Sequence, residues 1–99
     1  MTAPDIARAI AERLEPLAPV HVALDDQSAA HAGHAGAAGG GGHFSLLVVS
    51  EAFTGAGSLA RHRRVMDRLS DLFPHPVHAL SIRACTPDEY FTSHERTVR

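Results

Sequence analysis

Cysteine occurs once in these 99 residues, at Cys85. A single thiol excludes an internal disulfide framework and any zinc or redox site built on a CxxC pair. Tryptophan is absent and aromatics make up 5% of the chain, so the core must be largely aliphatic. Lysine is absent too, all nine basic side chains being arginine. A formal net charge of −2 gives no electrostatic case for tight binding to nucleic acid or to an anionic membrane. No apolar run approaches the roughly 18 residues of a membrane span, and no basic segment leads into an apolar one at the N-terminus. The expectation is a cytoplasmic protein with no membrane partner.

Histidine is what the chain has in excess, with eight residues. Three of them, His31, His34 and His43, sit in the stretch HAGHAGAAGGGGH. The length is that of one domain, and 44% hydrophobic with 20% charged residues is an ordinary globular composition.

Periodicity divides the chain into six elements. Ile6, Ile10, Leu14 and Leu17 form one stripe of a helix over residues 4–17, ended by Pro16 and Pro19. Val20 to Leu24 alternates as a strand that Asp25 and Asp26 close. Phe44 to Val49 is a more apolar strand and so the more central one. Between them lies a flexible Gly/His loop, 26–43, long enough to suggest function or disorder. Leu59, His62, Met66, Leu69 and Phe73 mark one face of a second helix, stopped by Pro74 and Pro76. Val77 to Ile82 is a third strand, reached by a crossover and therefore parallel to the second. Thr86-Pro87-Asp88-Glu89 carries the signature of a helix start, with a short final helix through Tyr90 and Phe91. The expected fold is α/β (α+β) with order αββαβα. It forms a single domain over residues 1–91, a three-stranded mixed sheet with helices packed on one face. Residues 92–99 read as a polar, disordered tail.

The residues that could carry chemistry are few. His78 shares a strand parity with Leu80 and Ile82, which puts its ring at the rim of the core, and His62 falls on the apolar stripe of helix two. A lone histidine at a core edge is ordinarily a hydrogen-bonded structural residue. His31 and His34 can reach one metal ion and His43 can return at the far end of the loop, although three histidines without cysteine make a poor structural zinc set. Arg61, Arg63, Arg64 and Arg68 form the only basic cluster, which suits either phosphates or a solvated helix face. No nucleophile motif or paired carboxylate is recognisable, so no enzyme activity is expected.

These motifs, taken together, resemble the BolA family from about residue 4 to residue 91. The carrying residues are Asp26-Gln27-Ser28-Ala29-Ala30-His31, His43-Phe44, Phe53-Thr54-Gly55, Arg61-His62-Arg63-Arg64-Val65, Val77-His78-Ala79-Leu80 and Thr86-Pro87-Asp88-Glu89-Tyr90. Gln27, Met66, Cys85 and Tyr90 depart from the residues usual at these places. The resemblance implies a fold like the type II K-homology domain. It also implies a non-enzymatic partner of a monothiol glutaredoxin, active in iron–sulfur trafficking or iron regulation. Such a partner shares a [2Fe–2S] cluster through His78 and a loop histidine, His31 or else His34, with glutaredoxin and glutathione thiolates completing the set. The cluster would not be bound stably by this chain alone. Imidazole can replace thiolate on one iron of such a cluster. The alternative it implies is a DNA-binding transcriptional regulator of morphology and stress response, for which Arg61, Arg63, Arg64 and Arg68 are the candidate contacts. The reading is compatible with a weak homodimer and leaves the oligomeric state open.

Overall fold

The computed structural model describes residues 3–27 and 42–98, and side chains over 4–27 and 42–92. Helix α1 spans Ala3–Leu14 and runs into a 3-10 turn at Glu15–Leu17, where Pro16 and Ala18, at φ 46°, end it. Strand β1 is His21–Asp26, β2 is Gly42–Val49, α2 is Ser58–Leu69, β3 is Val77–Cys85 and α3 is Pro87–Val98. The order is the expected αββαβα. Among the described residues no helix is long and apolar enough to cross a membrane.

The sheet order is β1-β2-β3, with β1 antiparallel and β3 parallel to the central β2. Centrality explains why β2 is the most apolar strand, since neighbours flank it on both sides. One face carries the core. Phe44, Leu46 and Val48 of β2 meet Ile6, Ile10 and Leu14 of α1 and Val65 and Leu69 of α2, with Phe53, Leu72 and Val77 filling the margins. Each such side chain contributes about 1.5–3 kcal/mol when fully buried. Arg13 Nε and Nη2 donate to the Asp71 carboxylate at 2.7–2.9 Å, tying α1 to the turn after α2. Ser50, fully buried, donates its hydroxyl to Leu17 O and accepts from Ala52 N, which joins the end of α1 to the end of β2.

Helix α3 starts as its sequence dictates. Thr86 Oγ1 accepts from Glu89 N at 3.2 Å, and Glu89 returns the favour by accepting from Thr86 N at 2.9 Å. Tyr90 then stacks on His21 with ring centres 5.5 Å apart.

Three sequence expectations change. The buried stripe of α2 is Val65 and Leu69, continued by Leu72, whereas Leu59 is 62% exposed and His62 is exposed. The true face includes Arg61, half-buried and bonded through its guanidinium to the carbonyls of Ala56 and Ala84. An arginine that buries its stem in this way is invisible to a hydrophobicity pattern. The loop begins later and ends earlier than 26–43, because the ladder claims Asp26, Gly42 and His43. The helix that begins at Pro87 continues to Val98 in place of a tail from residue 92. Nothing from Thr92 to Val98 is glycine or proline, so nothing in that stretch breaks it.

Candidate functional site

The site forms at the end of the sheet where β2 and β3 begin. Parity fixes the inward residues of β3: Leu80, Ile82 and Ala84 pack towards the core opposite Phe44, Leu46 and Val48. Continued backwards, that alternation would turn His78 inwards. It does not, because the register shifts from Gly42↔Val77 to His43↔Ala79, leaving His78 as an extra residue on β3. Such a bulge re-aims side chains. Here Val77 takes the buried place, at 1% exposure, and His78 is turned out to solvent. The expectation that His78 shares a face with Leu80 and Ile82 fails for this reason.

The residue it meets is His43. The two imidazole centres lie 5.5 Å apart with the rings tilted by 48°. His43 alternates with the buried Phe44, so its half-buried ring stands on the sheet face away from α1 and α2. Gln27 N donates to its carbonyl at 2.7 Å, and the preceding residue is held by Gly42 N donating to Pro76 O at 2.9 Å. Gly42 serves the core as well, since a Cβ there would meet the ring of Phe44.

The sequence brought forward His78, His31 and His34 as ligands. His31 and His34 lie outside the described residues. The sequence offers His43 only as the far end of a loop site and does not disclose its pairing with His78. Strand register could have shown it, because β2 and β3 run parallel from Gly42 and Val77, but the bulge cannot be read from composition. Among the described residues no three or more His, Cys, Asp or Glu side chains gather as a metal set. The arrangement therefore offers two imidazoles and leaves further coordination positions to water or to a second molecule.

The basic cluster is less available than its sequence suggests. Arg61 Nη1 and Nη2 bind both oxygens of Glu89 at 2.6 and 3.1 Å, in addition to its two carbonyls. Arg64 donates to Ala52 O. Arg63 and Arg68 are exposed. The Arg61 guanidinium and the Thr86 N–H hold the Glu89 carboxyl down at about 2, against an ordinary 4.5. Beside this clamp a groove of about 550 Å³ runs between the start of α2 and β3, lined among others by Leu59, His62, Ile82 and Arg83.

Comparison with known proteins fixes the family. A family model described as BolA-like protein matches residues 14–89. Mouse BolA-like protein 1 is 42% identical over 86 residues, covering 86% of this chain and 61% of that protein. Its solution structure superposes with a TM-score of 0.74 at 38% identity, over 94% of this chain and 73% of that one. SufE-like protein 1 of Arabidopsis thaliana is 45% identical over 86 residues, 81% of this chain but 23% of that protein. The structure of its BolA domain matches with a TM-score of 0.70 at 40% identity, over 90% of this chain and 98% of the domain. A Vibrio cholerae protein named DNA-binding transcriptional regulator BolA is 44% identical over 48 residues, covering 48% of this chain and 45% of that one. The chain thus spans from under a quarter to about three fifths of the length of these relatives. With a matching family model over most of its length and BolA domains as its structural neighbours, the chain belongs to the BolA-like family.

Proposed function

We propose that the chain is the partner of a monothiol glutaredoxin, with which it shares a [2Fe–2S] cluster delivered or sensed as cargo. The observation that carries this reading is His78, turned out of the core by the bulge and set beside a second imidazole at the mouth of the 28–41 segment. The donor set fits: imidazole is an accepted ligand of one iron in such a cluster, and two from this chain leave the other iron to thiolates of the partner. Bound there, the cluster would supply one-electron chemistry or transferable iron and sulfide. His78 on a paired strand offers the fixed ligand, and the second comes from His31, His34 or His43. No residue of the proposal is a catalyst.

The test is visible circular dichroism of a cluster-loaded monothiol glutaredoxin on addition of this protein. The expected result is a new spectrum, lost with His78→Ala. A spectrum unchanged by the wild-type chain refutes the reading. Alanine at His31, His34 and His43 in turn then identifies the second ligand.

A second reading, DNA binding, is favoured by the name of the Vibrio relative. On this chain it rests on Arg63 and Arg68, because Arg61 and Arg64 are engaged within the fold. K-homology domains grip the nucleic-acid backbone through a G-x-x-G turn. The comparable turn here is Gly55-Ala56-Gly57, with Gly55 at φ 80° and no cation between the glycines. If the reading holds, Arg63→Ala with Arg68→Ala lowers the slope of log affinity against log salt by roughly two, one per lost phosphate contact. An unchanged slope excludes these contacts.

A further inference from the structure

We infer that His43 and His78 form, in this chain alone, a binding site for a single divalent transition-metal ion of the Zn2+ type. The inference shares His78 with the function proposed above, but it requires neither glutaredoxin nor a cluster.

The argument begins with the separation of the rings. With metal–nitrogen bonds of about 2.0–2.1 Å and a ring centre about 1.1 Å behind its nitrogen, two imidazoles at a tetrahedral angle stand about 5.2 Å apart, centre to centre. The observed separation is 5.5 Å. The observed spacing is thus within a few tenths of an ångström of the one a shared ion would set.

Rigidity comes next. His43 is the residue between two ladder bonds, Gln27 N to His43 O and Gly42 N to Pro76 O, and its neighbour Phe44 is anchored in the core at 3% exposure. His78 lies between Val77, buried, and Ala79, paired with His43 itself. His43 thus projects from a paired position, and His78 from a one-residue bulge closed by a paired neighbour on either side.

Chemistry then selects the ion. Imidazole nitrogen suits Zn2+, Cu2+ and Ni2+ and is a poor ligand for Mg2+ or Ca2+, which take oxygen. Two protein ligands and an exposed His78 leave positions open to water, which describes an exchangeable site and not a structural one. The same ring separation also suits a plain aromatic contact, so binding itself is the deciding measurement.

The experiment uses the full chain without any partner, titrated with Zn2+ by calorimetry and by imidazole NMR signals. The working background is His31→Ala with His34→Ala, which takes the loop histidines out of play. The expected result is one Zn2+ bound by this background, with the His43 and His78 signals moving together. Mutation of even the outer partners of a metal ligand costs about 10–100-fold, so His43→Ala and His78→Ala should each weaken binding about tenfold or more. His43→Gln, which keeps a polar side chain at the same place, should do the same, with far-UV circular dichroism confirming that each variant is folded. Absence of binding in the background overturns the inference, as does binding that survives either single substitution. Zn2+ binding with no effect on the glutaredoxin spectrum would remove the cluster reading and leave this one standing. A cluster spectrum that needs His78 but not His43, with no Zn2+ bound, would do the reverse.

Discussion

Glu89 is held by four hydrogen bonds from two directions. Its carboxylate accepts from both terminal nitrogens of Arg61 and from Thr86 N, and its own N–H is taken by Thr86 Oγ1. Its carboxylate therefore joins the start of α3 to α2, and Arg61 carries the link on to Ala84 O near the end of β3. Its pKa is depressed from 4.5 to about 2 in the folded state, chiefly by the Arg61 hydrogen bond. A depressed carboxylate stabilises the fold fully above its unfolded value and loses that contribution as pH falls towards its folded value. The wild-type Tm should accordingly drop between about pH 4.5 and 2, and Glu89→Gln should flatten that fall. Asp71, held below its usual range by Arg13, acts in the same direction and will leave part of the slope in the variant. The carboxylates of both pairs are exposed, at 59% and 49%, so added salt should shrink the difference. Thermal denaturation across this pH range reads it directly.

At the scale of the element, β2 ties the core to the candidate site. Its alternation sends Phe44, Leu46 and Val48 to the helices and His43 the other way. Gly42 leaves room for the Phe44 ring, so Gly42→Ala forces a buried aromatic to shift. Overpacking of this kind costs about 1–3 kcal/mol, and it acts one residue from His43. Chemical denaturation should show the loss, and Zn2+ affinity should fall with it although no ligand has been removed. The elements differ in how much of themselves the sequence discloses. The α1 stripe of Ile6, Ile10 and Leu14 is legible because every inward position is apolar. So is the start of α3, whose capping residues are local to one turn. The face of α2 lies one position from the one its pattern suggests, because Arg61 buries its stem and Leu59 stands exposed.

For the whole molecule, order and pairing of elements followed from chain pattern alone. An apolar strand, a helix and a second strand leave little choice but a parallel crossover, and the greater apolarity of Phe44 to Val49 marks it as the central strand. The candidate site was half legible. His78 was marked out by the motif around it, but its direction depends on a bulge, and its neighbour His43 depends on two strands meeting in a particular register. Both are tertiary facts, settled by packing more than 30 residues apart in the chain. The bulge also says something about how such a site can arise. A strand in regular register presents a fixed division between what is buried and what is offered. One surplus residue at its first pair resets that division for everything before it and for nothing after it. The hydrophobic layer from Leu80 onward keeps its order while a single position is handed to the surface. A side chain presented in this way asks for no new loop and no larger core, and its identity can change without disturbing the fold beneath it.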